Sequence, residues 1–318
     1  MTPEKLPAIS VIEPINPALE KVKTLLFKPF EVGKWFTIGF CAWLAFLGRS
    51  GVGFRFNFPF GNSNSHICPL GQVQNLFYKN LTPIIVLASI GLLIGLAIMV
   101  VLLWLSCRGQ FMFLHCIAQN KAEVKIPWHK FRRHANNLLL FKLVAGFIAF
   151  ICLALCTAPI ALMIIFLTRG PARIGAAGIF AIVCLSLVMA FIAVIFVLFF
   201  KFTNDFAIPI MYLDTSSCTE AWRQLLTMLS LRKGAFILYV LFQIVIAMAI
   251  AVILMALILG TCCCAACFLA IPYLGTVLCL PLLVFKRSYS LYYLRQFAPG
   301  FDVFDTSIIM PQPDSACS

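Results

Sequence analysis

Cysteine is the residue type here with the most evident capacity for chemistry, since the chain contains fourteen of them. The densest group is Cys262, Cys263 and Cys264 with Cys267. Thiolates at this spacing can bind soft metals, although a zinc site usually has well-separated pairs of ligands. Two other interpretations are an external disulfide and the close packing of small residues at a helix end. We favour packing, and expect neither a metal nor another cofactor.

The histidines and carboxylates form no recognisable catalytic pattern. Acidic side chains that could cluster near basic ones are Glu123, Asp205, Asp214 and Glu220. We expect them to form structural ion pairs with Arg132, Arg133 and Arg223. The sequence has no Gly-rich phosphate loop, nucleophile elbow or helical HExxH motif. We therefore expect that the protein is not an enzyme.

The long apolar stretches are poor in ionisable residues, which coupled transporters usually place inside the membrane. Lys142 and Lys201 lie near the ends of such stretches, where their long side chains are expected to reach the interface. Gln243 is the one larger polar residue well inside. Proton or ion coupling is therefore not expected, but an uncoupled path for a lipid or apolar molecule remains an alternative.

The composition indicates an integral membrane protein, because 62% of the 318 residues are hydrophobic and only 11% are charged. The mean hydropathy is +1.01. The formal net charge is +13, yet the basic residues lie in short segments beside apolar stretches. We therefore expect anionic lipid headgroups, and not nucleic acid, as the partner.

Six apolar stretches predict an all-α, polytopic membrane helix bundle of about six transmembrane helices, with cytoplasmic interfacial amphipathic helices. They are Lys34–Leu47, Leu81–Cys107, Leu138–Leu167, Ile174–Phe200, Ala235–Leu259 and Phe268–Phe285. The first is short, and a re-entrant segment there would leave five spans. We expect three parts: a cytoplasmic segment at 1–33, a membrane domain at 34–286 and a cytoplasmic tail at 287–318.

The distribution of basic residues predicts the orientation. With six spans, only Arg49, Arg55, Lys79, Arg169 and Arg173 fall on one side, and the remaining Lys and Arg on the other. This asymmetry predicts a multi-pass protein of the bacterial inner membrane with both termini in the cytoplasm. No cleavable signal peptide is visible at the amino terminus.

A basic, Trp-bearing helix is predicted at Ile126–Leu138. Pro127 suits a first helical position, and an apolar stripe follows from Trp128. The stripe consists of Trp128, Phe131, Ala135 and Leu138, and the other positions include Lys130, Arg132 and Arg133. Such a helix is expected to lie in the membrane interface and to bind anionic lipid.

A second helix of the same design is predicted at Glu220–Leu229, after a capping box formed by Ser217 and Glu220. Its apolar stripe is Trp222, Leu225, Leu226 and Leu229, with Arg223 beside it. Each helix follows an apolar stretch and an aromatic linker, which indicates an internal repeat of 81–168 and 174–259; chance similarity is the alternative. We use "basic belt" for the six residues predicted to contact lipid: Trp128, Lys130, Arg132, Arg133, Trp222 and Arg223.

Two further segments are predicted. Asn16 and Pro17 begin a third amphipathic helix, which Pro29 should end. Its apolar face is Leu19, Val22, Leu25 and Leu26. In the external loop at Arg49–Asn80, alternating aromatic residues from Phe54 to Phe60 predict an extended strand packed on the bundle, or alternatively an edge that contacts a ligand or partner.

A family resemblance is carried by Phe206, Pro209 and Met211, followed by Glu220-Ala-Trp222 and Gly234. These residues resemble a linker in uncharacterised bacterial six-span proteins, including the membrane domain of glycerophosphodiester phosphodiesterases. The resemblance covers about residues 80–295 and implies architecture alone. Those enzymes carry their catalytic residues on a soluble barrel for which this chain has no room, so it implies no phosphodiesterase activity.

The expected function is that of a non-catalytic integral membrane protein, a membrane-organising or accessory subunit with an anionic-lipid-binding cytoplasmic belt. The alternative is a transporter or permease-like protein for a lipid or apolar substrate. The expected partners are membrane lipids, with a membrane protein or a second copy of the chain as further possibilities.

Overall fold

The computed structural model describes residues 9–47, 81–169, 176–214, 217–261, 264–297 and 299–304. Within these ranges the chain is helical and has no β-strand, which confirms the all-α prediction. The first six helices are α1 (Ile15–Val22), α2 (Val32–Phe46), α3 (Leu81–Gln119), α4 (Lys125–Lys130), α5 (Arg132–Arg169) and α6 (Ala176–Phe202). The others are α7 (Ile208–Asp214), α8 (Cys218–Leu231), α9 (Lys233–Gly260), α10 (Cys264–Ala270), α11 (Pro272–Leu278) and α12 (Leu280–Arg295). The strand predicted at Phe54–Phe60 lies outside the described residues.

Four helical segments in the described part of the chain are long and apolar enough to cross a membrane. They are Ser89–Gln119, Arg132–Pro159, Phe180–Asp214 and Lys233–Gly260. A bilayer's hydrocarbon core of about 30 Å requires about 20 helical residues, and each of these segments exceeds that length. They correspond to the second to fifth predicted stretches.

The first predicted stretch forms α2, which has 15 residues and therefore a length of about 22 Å. The end of α2 lies about two-thirds of the way along α3, where the hydroxyl of Ser106 donates a hydrogen bond to the carbonyl oxygen of Ala45 at 3.0 Å. A Cβ atom on Gly109 would lie 2.5 Å from backbone atoms of Leu44 and Ala45. The helix α2 is thus shorter than the hydrocarbon core and ends part-way along α3.

The last predicted stretch, Phe268–Phe285, is divided among α10, α11 and α12. Pro272 and Pro281 lie at the starts of α11 and α12, where the missing N–H group of proline costs no helical hydrogen bond. Ile271, just before α11, has an extended backbone. The two prolines therefore lie where this apolar segment is divided into separate helices.

The protein core lies at one end of the long helices. Buried residues are concentrated in the last third of α3, the start of α5, the end of α6 with the turn that follows it, and the start of α9. Apolar residues towards the other ends are exposed, for example Leu92 of α3 and Phe191 of α6. The four helices thus share a packed end, and beyond it their apolar surfaces suit contact with lipid.

The amino-terminal and carboxyl-terminal helices contact each other at the packed end. Ser10 and Gln296 form two hydrogen bonds: the backbone N–H of Ser10 donates to Oε1 at 2.8 Å, and Nε2 donates to the Ser10 carbonyl at 3.0 Å. The hydroxyl of Tyr289 donates to the carbonyl oxygen of Val11 at 2.9 Å. Helices α1 and α12 therefore lie on the same side of the bundle.

The two predicted aromatic linkers are helical and buried. Phe111 lies within α3 and Phe206 within a π-helical turn, Thr203–Ala207, that joins α6 to α7. The wider π turn comes directly before Pro209, whose ring would clash with the carbonyl of residue i−4 in a regular α-helix. The predicted linkers thus continue the membrane-length segments as helix, and their aromatic residues pack inside the protein.

The helix predicted at Ile126–Leu138 is instead two helices. It breaks at Phe131, and α5 continues from Arg132 through a full membrane-length segment. The ring of Phe131 stacks on that of Phe111, with the centroids 5.8 Å apart and the planes at 11°. Phe131, Ala135 and Leu138 are buried in the protein core, so most of the predicted stripe does not face lipid. Pro127 is the third residue of α4, not the first.

The other two predicted helices are present with small shifts. The Ser217 hydroxyl accepts a hydrogen bond from the backbone N–H of Glu220 at 3.4 Å, which confirms that half of the predicted capping box. Helix α1 begins at Ile15, before the predicted start, and a π turn at Lys23–Phe27 extends it towards Pro29. Ala18 is buried where Leu19 was expected, and Leu19 is 46% exposed.

Candidate lipid-binding interface

The structure places the six residues of the basic belt at the packed end of the bundle, in two groups. One group is Trp128, Lys130, Arg132 and Arg133, on α4 and the first turn of α5. The other is Trp222 and Arg223 on α8. The four cationic side chains are exposed and both tryptophans are half-buried. The exposed charges of Lys130, Arg132 and Arg133 can meet anions, while each indole packs on the protein.

Trp128 belongs to an aromatic and cationic cluster that sequence reasoning missed. The guanidinium carbon of Arg108 lies 4.3 Å from the ring centroid of Trp104 and 4.6 Å from that of Trp128. The two indoles are edge to face, with centroids 6.1 Å apart. Arg108 is 7% exposed, and its Nε has no hydrogen-bond partner among the described residues. A spacing of four residues places Trp104 and Arg108 on one helix face. This spacing was the feature of the sequence that could have predicted their cation–π contact.

Trp222, which was predicted to contact lipid, also packs against the protein. Its indole stacks on Phe199 with centroids 4.5 Å apart, and its Nε1 donates a hydrogen bond to the Thr203 hydroxyl at 3.1 Å. The neighbouring Arg223 pairs with Glu220 at 3.8 Å, and the pairing predicted for Glu220 is thereby confirmed. Both partners of this pair are solvent-accessible, so it contributes no more than about 1 kcal/mol.

Lys142 is buried, contrary to the expectation that it reaches the interface. It is 7% exposed, and its Nζ donates hydrogen bonds to Gln110 Oε1 and Asn204 Oδ1, each at 2.8 Å. Arg287 of α12 donates to the backbone carbonyl of Asn204. Helices α3, α5 and α12 therefore meet the π turn through polar contacts in the core.

A second set of polar contacts joins α6 to α9. Lys201 Nζ lies 2.9 Å from Asp205 Oδ2, which also accepts a hydrogen bond from the Tyr239 hydroxyl at 3.2 Å. Gln243 Nε2 donates to the same hydroxyl at 3.2 Å. Lys201 thus binds a core carboxylate and does not extend to the interface. These buried groups tie the long helices together at the packed end.

The described part of the chain shows no group of three His, Cys, Asp or Glu residues that could hold a metal ion. Cys262 and Cys263 lie outside the described residues, so the predicted role of that cysteine group stays open. His115 is buried and forms a hydrogen bond with the Tyr212 hydroxyl at 2.9 Å.

Burial suppresses the ionisation of two groups beside the long helices. It raises the pKa of the Cys218 thiol on α8 to about 12. It also raises the pKa of Tyr293 on α12 to about 12, and the hydroxyl of Tyr293 donates to the Ala235 carbonyl at 2.8 Å. Both groups are neutral at physiological pH, as structural core groups are.

Two open grooves flank α8. The larger, of about 610 Å³, lies between α6, α8 and α9; its lining is almost wholly apolar, with Ser230 and Lys233 at one end. The smaller, of about 430 Å³, is lined by residues of α5 and α8 that include Phe141, Trp222 and Arg223. Each groove therefore combines apolar walls with a cationic side chain.

The helical fold, its membrane-length segments and this mixed apolar and cationic end together define a helical membrane protein. Residues 9–280 match the family described as a family of unknown function (DUF7544), and the chain belongs to that family. No curated protein and no solved structure matches the chain. The resemblance to the membrane domain of glycerophosphodiester phosphodiesterases stays a prediction.

Proposed function

We propose that the protein is a non-catalytic, membrane-organising or accessory subunit that binds anionic lipid through its basic belt. The observation that carries this proposal is the exposure of Lys130, Arg132 and Arg133 beside the half-buried Trp128. Tryptophan favours headgroup depth because one edge of its ring is apolar and the other is polar. The three cations extend from the same short stretch of chain and are available to lipid phosphates.

Arg108 adds a fourth cation to this group. Its guanidinium packs against the rings of Trp104 and Trp128, which shield it from solvent. None of the ion pairs in the described part of the chain includes Arg108. The positive field of Arg108 reinforces that of the exposed cations. Each Lys or Arg near an anionic membrane surface contributes on the order of 1 kcal/mol to binding.

The proposed setting is the cytoplasmic face of a bacterial inner membrane, with six passes and both termini in the cytoplasm. The contact between α1 and α12 supports an arrangement in which the two ends of the chain share one side. In this topology α2 and the α10–α12 segment belong to the two additional crossings. The exposed apolar faces of the long helices would contact lipid, a membrane protein partner or a second copy of the chain.

A transporter or permease-like role for a lipid or apolar molecule is the second candidate. The apolar groove of about 610 Å³ between α6, α8 and α9 favours it, since a lipid path requires apolar surface open to the bilayer. A purified protein that moves fluorescent phospholipid between the leaflets of liposomes would support this role over the accessory one.

The belt is tested by comparing wild type with a variant in which Lys130, Arg132 and Arg133 are all replaced by glutamine. We expect the variant to retain less phosphatidylglycerol in native mass spectrometry, with a loss of a few kcal/mol at most, because each lost charge contributes about 1 kcal/mol. High salt should reduce lipid retention by the wild type in the same way.

Trp128→Ala is the matched comparison within the belt. It should loosen α4 through lost aromatic packing and raise the protease accessibility of residues 120–131, with little dependence on salt. Equal retention of anionic lipid by wild type, the triple variant and Trp128→Ala would contradict the belt proposal.

A further inference from the structure

The groove between α6, α8 and α9 has apolar walls formed by two membrane-length helices. Leu198 and Phe202 of α6 form one wall, and Ile237, Leu241 and Ile244 of α9 form the other. From this geometry we infer that the groove binds one acyl chain of an anionic phospholipid, with the lipid phosphate at Lys233. The inference rests on the proposed lipid-binding function and assigns it a second, independent site.

The groove has the length of one membrane leaflet. Lys233 and Ile244 mark its two ends along α9, and eleven residues of helix rise by about 16 Å. Half of a hydrocarbon core of about 30 Å is about 15 Å. An acyl chain anchored at headgroup depth therefore lies beside the groove over its whole length.

The charge at the end of the groove fits an anionic headgroup. Lys233 is the first residue of α9, is exposed and forms no ion pair within the described part of the chain. It lies at the packed end of the bundle, where the belt cations also lie. A lipid whose chain follows the apolar walls places its phosphate within reach of the Lys233 ammonium group.

The walls are held apart by the protein itself. Phe202 and Phe236 meet edge to face at the base of the groove, with centroids 6.0 Å apart, and Phe206 contacts Phe236 in the same way at 5.5 Å. Beyond this contact Ile237, Leu241 and Ile244 remain more than half exposed. The opening thus exists before a ligand arrives, which lowers the conformational cost of binding.

The dimensions favour a lipid chain over a helix of a protein partner. A helix with side chains is about 10 Å across. An extended acyl chain is much thinner and can enter sideways from the bilayer to lie along the apolar walls.

The test is a titration of purified protein with dioleoyl phosphatidylglycerol, followed by native mass spectrometry. Ile244→Trp fills the groove, and Ile253→Trp is its matched control, since the two isoleucines are 52% and 53% exposed on the same helix and only Ile244 lines the groove. We expect Ile244→Trp to lower the affinity for the most tightly bound phosphatidylglycerol at least tenfold. Ile253→Trp should leave that affinity unchanged. Leu241→Trp serves in place of Ile244→Trp if the latter lowers the thermal unfolding temperature.

The headgroup contact is tested with Lys233→Gln, for which the exposed Lys28→Gln is the control. Removing one cation should lower the affinity for phosphatidylglycerol about fivefold and leave the affinity for dioleoyl phosphatidylcholine unchanged. Lys28→Gln should match wild type with both lipids. Oleate binding more tightly than phosphatidylglycerol would make the groove a fatty-acid site and overturn the inference.

The groove inference and the belt proposal can be contradicted independently. The triple belt variant should keep the tightly bound phosphatidylglycerol of the groove, and Ile244→Trp should keep the salt-sensitive lipids of the belt. Equal phosphatidylglycerol affinities for Ile244→Trp and Ile253→Trp would overturn the groove inference, whatever the belt variant shows.

Discussion

At the scale of single residues, Lys142 best illustrates how a charge can serve inside a membrane protein. Its ammonium group donates to side-chain oxygens of Gln110 on α3 and Asn204 on the π turn. Asn204 in turn donates through Nδ2 to the carbonyl oxygen of Phe200 at 2.6 Å. A buried charge is costly unless polar groups satisfy it, and here the donors and acceptors are arranged to do so.

Replacing Lys142 with alanine should therefore destabilise the protein. The side-chain oxygens of Gln110 and Asn204 would lose a donor in a buried site, at about 1–3 kcal/mol for each unsatisfied group. Thermal unfolding in detergent, followed by intrinsic fluorescence, measures the effect. The exposed Lys130→Ala is the control and should unfold within about 0.5 kcal/mol of wild type. An unfolding temperature for Lys142→Ala equal to that of the control would show that the contacts to Gln110 and Asn204 do not stabilise the fold.

At the scale of helices, the close packing of α2 on α3 has a clear cause. Gly109 has no side chain, and the backbone of Leu44 and Ala45 occupies the space that a Cβ atom would need. Small residues allow helices in membranes to approach closely and gain van der Waals contact. The hydroxyl of Ser106 and the amide of Gln110 both donate to the Ala45 carbonyl, at 3.0 and 3.3 Å, and so hold the end of α2 in place.

Gly109→Ala should accordingly loosen α2 from α3. The new methyl group would meet backbone atoms at 2.5 Å, which cannot rotate away, and overpacking typically costs about 1–3 kcal/mol. Gly95→Ala on the same helix is the matched control, since nothing lies within 4 Å of its Cβ position. The control should be neutral or stabilising by up to about 1 kcal/mol, because alanine favours helix more than glycine does. Equal unfolding temperatures for the two variants would contradict the close packing of α2 on α3.

At the scale of the whole molecule, the packed end determines which surfaces face which environment. The belt residues, Lys233 and the contact between α1 and α12 all lie there, while the far halves of α3, α6 and α9 expose mainly apolar side chains. The asymmetry of basic residues that predicts a cytoplasmic face thus coincides with the end that contains the core.

This arrangement predicts the result of topology mapping. Reporter fusions placed after Phe285 and within Lys121–Arg133 should both report the cytoplasm, because both positions belong to the packed end. Alkaline phosphatase and green fluorescent protein fusions in whole cells provide the two complementary signals. A periplasmic signal from either position would contradict the six-pass topology with cytoplasmic termini.

Composition and periodicity were sufficient for the class of fold and for several local features. Within lipid a helix satisfies all backbone polar groups inside one segment, and continuous apolar stretches of about 20 residues or more suit a helix, so the sequence alone predicts an all-α bundle. The hydrogen bond from the Glu220 backbone to Ser217 depends on residues three apart, and it formed as predicted. The pairing of Glu220 with Arg223 is equally local.

Tertiary structure alone decided which side of each helix faces protein and which faces lipid. Phe131, Ala135 and Leu138 are apolar at helical spacing, but an apolar stripe suits a lipid surface and a protein core equally well. Lys142 lies near the end of an apolar stretch, where only the positions of Gln110 and Asn204 on other parts of the chain determine that it is buried. The Arg108 cluster and the groove at Lys233 also combine side chains from separate helices, whose proximity no local pattern encodes.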